Sequence, residues 1–223
     1  MIEVADAIAI TAGAVAALDW LAVAKEWRRL EYGAKPLVMI LLMTWVVVLR
    51  LGGGDRSTFG DLPWPLLGAL AFSLVGDIFL MLPKDRFLLG LGAFFVAHLW
   101  LIVAFAALGD GDAGLGLLGA ALVVALLLGT VGRSIVRGAA ARSARLRGPV
   151  VAYMMVIAAM ALVAFWTGRL PIVLGAVLFV TSDTILGFTR FVRPVAFGRV
   201  GVMITYHLAQ GLFAWSAVLP PAT

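Results

Sequence analysis

The sequence contains no cysteine and little charge. Without cysteine, the 223-residue chain forms no disulfide, offers no thiolate nucleophile and has no Cys-ligated metal. Charged residues make up 13% of it, against 63% hydrophobic residues and a mean hydropathy of +1.09. A water-soluble domain of this size does not need such a composition, whereas a bundle of membrane-spanning helices does. We therefore predict a single integral membrane domain over residues 1–223.

Several catalytic motifs are also missing. The sequence has no GxSxG nucleophile elbow, no HExxH metal-binding helix and no phosphate-binding P-loop. The tetrad Leu-Val-Gly-Asp that ends at Asp77 lacks the first glycine of GxGD, the hallmark of intramembrane aspartyl proteases. The two histidines, His98 and His207, lie too far apart in sequence for a local metal-binding motif. We therefore expect no metal and no cofactor.

Hydrophobic runs separated by charges, glycine and proline predict the helices. A hydrocarbon core about 30 Å thick needs roughly 17–25 apolar residues per helix. Five prolines mark proposed helix starts, where a missing N–H costs least: Pro36, Pro65, Pro149, Pro171 and Pro194. The sequence predicts an all-α membrane bundle of eight transmembrane helices, at about residues 4–24, 36–51, 65–82, 87–107, 114–131, 149–167, 171–189 and 195–218.

Lysine and arginine cluster on alternate connections. The connections after spans 1, 3, 5 and 7 hold 14 of the 17 basic residues, five of them in GRSIVRGAAARSARLRG, which we expect to be a connector. Because cytoplasmic loops are enriched in basic residues, this predicts that both termini are non-cytoplasmic. It also explains a pI near 10.2 without nucleic acid as a partner. Glu3 and Asp6 stand where a signal peptide has basic residues, so we expect the first span to be retained. With eight predicted spans, we expect a multi-pass protein of the cell (inner) membrane.

Two segments of the chain resemble each other. Residues 68–82 (GALAFSLVGDIFLML) and 175–189 (GAVLFVTSDTILGFT) each place an aspartate in an apolar helix that runs in the same direction. Each is followed by a helix that contains a histidine. The pattern is consistent with a parallel repeat of four plus four helices, an arrangement known among membrane proteins.

Asp77 and Asp183 are the acidic residues deepest inside the predicted spans. Each lies about two-thirds of the way through its helix, in the inner half of the membrane. A carboxylate at the bilayer centre costs roughly 2.5–3.5 kcal/mol on insertion scales, so such a residue indicates function. Asp19 also falls in a span, but it lies beside Trp20 near the interface, where we expect it to reach water.

Other polar side chains are predicted to surround a cytoplasm-facing cavity. These supporting residues are Lys35, Ser73, His98, Ser182, Tyr206, His207 and Gln210. Polar groups in membrane bundles also join helices by hydrogen bonds, each contributing about 0.6 kcal/mol on average. For the two serines, the glutamine and His98, that structural alternative stays open.

Five stretches resemble the lysoplasmalogenase family, the YhhN-type multispanning membrane proteins. They are KPLVMILLM at 35–43, SLVGDIFLML at 73–82, G-x-x-x-F-x-x-x-H at 90–98, FVTSDTILGF at 179–188 and YHLAQGL at 206–212. The resemblance implies an eight-helix topology and a lysophospholipid substrate in the membrane. The implied reaction is hydrolysis of the vinyl ether bond of lysoplasmalogens to a fatty aldehyde and glycerophosphocholine or glycerophosphoethanolamine. The resemblance also implies that the family's candidate catalytic aspartates are Asp77 and Asp183 in this sequence.

The implied reaction suits a pair of carboxyl groups. Cleavage begins with protonation of the β-carbon of the vinyl ether, which gives an oxocarbenium ion that water attacks. A protonated carboxyl supplies the proton, and an ionised partner stabilises the cation or activates the water. We hypothesise that Asp77 and Asp183 are this pair, without assigning which one is the acid. Other roles are assigned as follows: Tyr206, His207 and His98 orient water or tune the carboxyls, and Lys35 or Arg86 holds the lipid phosphate.

A proton-coupled transporter is the alternative function. The two aspartates and two histidines would then form a proton relay, and a parallel repeat with polar residues near the midplane fits that class as well. An enzyme turns over substrate in detergent, whereas a transporter needs a sealed vesicle and a gradient. The oligomeric state does not follow from the sequence.

Overall fold

The computed structural model describes residues 2–51, 63–84, 86–108 and 114–217, and all regular secondary structure in these ranges is helical. The predicted connector GGGDRSTFGDLPW lies largely outside the described residues. The helices are α1 (Ile2–Ala24), α2 (Arg28–Leu51), α3 (Trp64–Met81), α4 (Phe87–Ala106), α5 (Leu115–Leu127), α6 (Arg133–Arg142), α7 (Ala144–Trp166), α8 (Leu170–Phe191) and α9 (Gly198–Ser216).

A π-helical turn at Leu128–Gly132 joins α5 to α6 without a break, so each predicted span coincides with a helical segment. Seven segments in the described part of the chain are long and apolar enough to cross a membrane. The segment outside that group is α9, whose hydropathy is lowered by Arg199, Tyr206, His207 and Gln210. Two of these polar residues, Arg199 and Tyr206, also line the polar cavity described below.

Several helix boundaries differ from the prediction. Helix α2 begins at Arg28 and α7 at Ala144, so Pro36 and Pro149 lie inside helices and do not mark their starts. The arginine-rich stretch after span 5 was predicted as a connector, and most of it is α6. Charged residues ended the predicted spans because they leave the hydrocarbon, but a helix continues beyond it into water. Pro65 and Pro171 are the second residues of α3 and α8, as a helix start allows, and Pro194 lies in the connection four residues before α9 begins.

Neighbouring helices pack as hairpins around a shared core. Helix α1 packs along α2, α3 along α4 and α8 along α9, while α7 packs on both α4 and α8. Helix α9 also contacts α1, α2 and α3, so its side chains reach the helix that carries Asp77. At the centre, the rings of Phe94, Phe179 and Tyr206 pack edge to face with centroids 5.6–6.3 Å apart. Two rings of this aromatic cluster, Phe94 and Tyr206, also line the polar cavity described below.

Candidate functional site

Asp77 is held by side chains from two other helices. Its Oδ1 lies 2.8 Å from Lys35 Nζ on α2, and its Oδ2 accepts a hydrogen bond of 2.6 Å from the Tyr206 hydroxyl on α9. Asp77 is 1% exposed and Lys35 4%. A charge buried this deeply needs a partner of opposite sign, and here each member of the ion pair supplies it. The contacts therefore tie α2, α3 and α9 together through one carboxylate.

Asp183 has a different environment. It is half-buried on α8, and its Oδ2 accepts a hydrogen bond from the Tyr153 hydroxyl on α7. No cationic side chain in the described ranges forms an ion pair with it. The two aspartates thus line one site with different partners: Asp77 has an ammonium and a phenol, and Asp183 has a phenol.

Two cavities meet at Asp183. The first, the polar cavity, lies among α2, α3, α8 and α9 and is lined by Glu31, Lys35, Asp77, Ser182, Asp183, Arg199 and Tyr206 together with apolar side chains. The second, the apolar cavity, lies among α4, α5, the π-helical turn, α7 and α8, and its walls are almost wholly aliphatic and aromatic. Leu80, Phe94, Asp183 and Leu186 line both. Asp183 is the titratable residue among these four.

The two histidines are buried and have opposite hydrogen-bond patterns. His98 Nδ1 lies 2.6 Å from the Phe94 carbonyl oxygen, which only accepts, so Nδ1 carries the proton. His207 Nδ1 lies 3.1 Å from the indole nitrogen of Trp20, which only donates, so in the neutral ring the proton is on Nε2. The His98 ring also packs edge to face on Tyr153, with centroids 5.4 Å apart. Each ring is therefore one contact removed from an aspartate, through Tyr153 or Tyr206.

The remaining predicted residues are Ser73, Ser182, Gln210 and Arg86, and one of them, Ser182, joins two helices by a hydrogen bond. The Ser182 hydroxyl donates to the Val202 carbonyl oxygen at 3.2 Å and so joins α8 to α9. Ser73 is fully buried one turn before Asp77, and its hydroxyl has no hydrogen-bond partner among the residues that the structure describes. Gln210 is fully buried one turn after Tyr206. Arg86 is exposed at the start of α4 and is not among the residues that line either cavity.

Three residues near the site were not predicted from the sequence. Tyr153 binds Asp183, and Glu31 forms an ion pair with Arg199 at the polar cavity. A signal existed for Tyr153, because it is one of three tyrosines and its hydroxyl lies inside an apolar helix, where it needs a partner.

Asp19 was expected to reach water, and the structure places it at 0% exposure. A position near a helix end does not reveal whether another helix covers it.

Gly76 lets the Phe94 ring pack directly on α3, beside Asp77. A methyl group at Gly76 would lie 2.6 Å from Cδ2 of Phe94, whose ring is held by Phe179 and Tyr206. We expect Gly76→Ala to destabilise the protein by about 1–3 kcal/mol, because a packed ring has little room to move. Unfolding of the detergent-solubilised protein measures this change.

Gly92→Ala is the matched control for Gly76→Ala. Gly92 is helical, and a methyl group there would meet nothing within 4 Å. We expect this variant to be neutral or more stable by about 0.5–1 kcal/mol, because alanine is the better helix former. Equal destabilisation of both variants would mean that ring packing at Gly76 is not the cause.

The fold and the site together define a class: a polytopic helical membrane protein in which two carboxyl groups and two tyrosines line a polar and an apolar cavity that share Asp183. Sequence comparison then gives the family. The chain belongs to the YhhN family, whose model matches residues 30–217.

Individual relatives agree with this assignment. "Lysoplasmalogenase TMEM86B" of Rattus norvegicus is 32% identical over 199 residues, which are 88% of this chain and 76% of that protein. The human protein of the same name is 32% identical over 192 residues, 84% of this chain and 75% of the relative. "Uncharacterized membrane protein YhhN" of Escherichia coli O6:H1 is 30% identical over 98 residues, 42% of this chain and 43% of that protein. No solved structure matches the chain.

Proposed function

We propose that the protein is a membrane hydrolase that cleaves the vinyl ether bond of lysoplasmalogens. Relatives named lysoplasmalogenase, 32% identical over most of the chain, support the reaction. The observation that carries the proposal is the position of Asp183, where the polar cavity meets the apolar one.

The substrate, like the pair of cavities, has a polar part and an apolar part. A lysoplasmalogen has a charged phosphoester headgroup and a single alkenyl chain, and its vinyl ether is the bond between the two halves. With the headgroup in the polar cavity and the chain in the apolar cavity, the vinyl ether lies beside Asp183. Apolar walls favour the chain by about 0.8 kcal/mol per buried methylene group, so the chain fixes the depth of the reacting bond.

The two aspartates take different parts in the reaction. The ammonium of Lys35 lies 2.8 Å from Asp77 and neutralises it as a carboxylate. Asp183 accepts a hydrogen bond from Tyr153, has no such cation among the described residues, and lies where the polar cavity adjoins the apolar one, next to the proposed position of the vinyl ether. We assign Asp183 as the proton donor and Asp77 as the carboxylate that stabilises the cation and directs water.

The steps balance with water as the sole co-reactant. Asp183 transfers its proton to the β-carbon, and the electron pair of the double bond forms the new C–H bond, leaving an oxocarbenium ion. Water adds to the cationic carbon and loses a proton to a carboxylate, which gives a hemiacetal. The hemiacetal hydroxyl then loses its proton as the bond to the glycerol oxygen breaks, the glycerol oxygen takes up a proton, and a fatty aldehyde and a glycerophospho-alcohol leave.

Supporting roles follow from the contacts. His98 positions Tyr153, and His207 fixes the polar face of α9 through its bond with Trp20. Ser182 joins α8 to α9 at the polar cavity, and the buried polar groups of Ser73 and Gln210 lie one helical turn from Asp77 and from Tyr206. We further propose that all eight segments cross the membrane, that both termini are non-cytoplasmic, and that the α3–α4 and α8–α9 hairpins belong to a parallel repeat of four plus four helices.

The test is aldehyde release by the purified, detergent-solubilised protein in heavy water. We expect an alkenyl lysolipid to yield aldehyde with one deuterium on the carbon next to the carbonyl, because that carbon receives the solvent-derived proton. The saturated alkyl-ether analogue is the matched control, and it should not be cleaved. Absence of turnover in detergent, with gradient-driven uptake into sealed vesicles, would establish the transporter in place of the hydrolase.

Ala161 offers a test of the apolar cavity. This residue on α7 is 3% exposed and lines the cavity, so a larger side chain takes space from the alkenyl chain. We expect Ala161→Leu to lower kcat/KM for long-chain substrates about tenfold or more, and for short-chain substrates less. Ala125→Leu, on an exposed face of α5 outside the cavity, should leave the ratio of long-chain to short-chain activity unchanged. An unchanged ratio in Ala161→Leu would place the chain elsewhere.

A further inference from the structure

Given the hydrolase function proposed above, we propose that Glu31 and Arg199 bind the lipid headgroup and select zwitterionic headgroups over anionic ones. Both residues line the polar cavity. Glu31 lies in the first turn of α2 and Arg199 in the first turn of α9, so the pair sits where these two helices begin, at one end of the bundle.

Glu31 lies one helical turn from Lys35, the ion-pair partner of Asp77. Along α2 this separation is a rise of roughly 6 Å. A three-carbon glycerol backbone separates the vinyl ether of a lysoplasmalogen from its phosphate by a comparable length. Because Glu31, Asp183 and Arg199 line the same cavity, a lipid with its vinyl ether at Asp183 extends its headgroup towards the pair.

Of the two cations that line the polar cavity, Arg199 is the one that a lipid phosphate can bind. The other cation in the lining, Lys35, is buried and held by Asp77, whereas the Arg199 side chain is 48% exposed. One nitrogen of Arg199, Nη2, makes both bonds to Glu31, at 3.0 and 2.9 Å. Nη1 and Nε have no hydrogen-bond partner among the described residues. A guanidinium with free donors binds phosphate through two parallel hydrogen bonds.

Glu31 makes the site selective for charge. Its side chain is 11% exposed, so it is costly to leave without a cation when Arg199 turns to a phosphate. A zwitterionic headgroup supplies the missing cation, because its ammonium group binds Glu31 while its phosphate binds Arg199. The exchange replaces one internal ion pair with two intermolecular ones and leaves no charge unpaired. An anionic headgroup, such as phosphoglycerol, takes Arg199 and leaves Glu31 alone.

The experiment compares alkenyl lysolipids that differ only in headgroup. Purified wild-type protein, Glu31→Gln and Arg199→Gln are assayed with ethanolamine, choline and glycerol headgroups. We expect Arg199→Gln to raise KM about tenfold for every headgroup with little change in kcat. Glu31→Gln should lower the ratio of ethanolamine to glycerol kcat/KM about tenfold, because it removes the ammonium site and the penalty against anions.

Arg193→Gln is the matched control. Arg193 is an exposed arginine that lies over the Phe188 ring, 5.9 Å from its centroid, and it is not among the residues that line the polar cavity. This variant should keep the wild-type headgroup ratio. Two results would overturn the proposal: an unchanged headgroup ratio in Glu31→Gln, or an equal loss of kcat for all headgroups in both site variants. Either result would mean that the ion pair only holds α2 and α9 together.

Binding of uncleavable lipids separates this proposal from the hydrolase function. Saturated alkyl-ether lysolipids with the same three headgroups are titrated into wild-type protein and both variants, and the dissociation constants are compared. A headgroup preference that Glu31→Gln removes would support the headgroup site even if no aldehyde forms from any alkenyl lipid. Aldehyde release with no headgroup preference in binding or turnover would support the hydrolase and overturn the headgroup site.

Discussion

Asp183→Asn is expected to reduce aldehyde release from lysoplasmalogen by about 10²–10⁴-fold, the usual contribution of a general acid. An asparagine amide has nearly the same shape as a carboxyl group but cannot donate an acidic proton to carbon. Its oxygen still accepts a hydrogen bond from Tyr153, so the α7–α8 contact is kept. The loss should therefore appear in kcat, with the variant folded and still binding the saturated analogue.

Two further variants make the Asp183 result specific. Asp6→Asn makes the same chemical change at an exposed position of α1 and should retain full activity. Asp77→Asn should also lose most activity, because the amide cannot stabilise the oxocarbenium ion as a carboxylate does. Full activity of Asp77→Asn or of Asp183→Asn would rule out the two-carboxylate mechanism.

Lys35→Met is expected to destabilise the protein by about 3–5 kcal/mol, the usual cost of removing one partner of a buried ion pair. Asp77 is 1% exposed, and without the ammonium its charge has no compensating partner at 2.8 Å. The double variant Lys35→Met, Asp77→Asn should recover most of the lost stability, because two neutral side chains then occupy the site. It should stay inactive, because the carboxylate is gone.

Unfolding of the detergent-solubilised variants measures this effect, together with their aldehyde release. Lys84→Met removes a lysine from an exposed position after α3 and should change stability little. If the double variant were as unstable as Lys35→Met alone, the ion pair would not be the source of the loss. Recovery of stability without recovery of activity would separate the structural role of Lys35 from the catalytic role of Asp77.

The helices were the part of the structure most accessible from the sequence. Each long apolar segment of the sequence coincides with a helix, because burial in lipid requires an uninterrupted run of apolar residues. Boundaries in water were harder, as Pro36 and the arginine-rich helix α6 show, since hydropathy reports where the hydrocarbon ends and not where a helix ends. The same reliance on hydropathy explains why α9 is the least obvious span.

The candidate site was accessible in part for the same reason. Asp77 and Asp183 stood out because a carboxylate in an apolar segment is costly. Their partners were less accessible, because the contacts to Lys35, Tyr206 and Tyr153 cross between helices far apart in sequence. Nothing in the pattern of residues gives the rotation of one helix against another, so the different surroundings of the two aspartates emerged only from the fold.

The π-helical turn at Leu128–Gly132 sets the angular register of the helix that follows it. Each residue of an α-helix advances the side-chain direction by about 100°, so the wider turn rotates all of α6 relative to α5. In that register Ile135 faces the apolar cavity, while Arg133 and Arg137 remain exposed. Loss of one residue from the turn would therefore rotate α6 by more than a quarter of a circle, with Val136 in the place of Ile135 and the charged Arg133 in the place of Gly132 on the cavity wall.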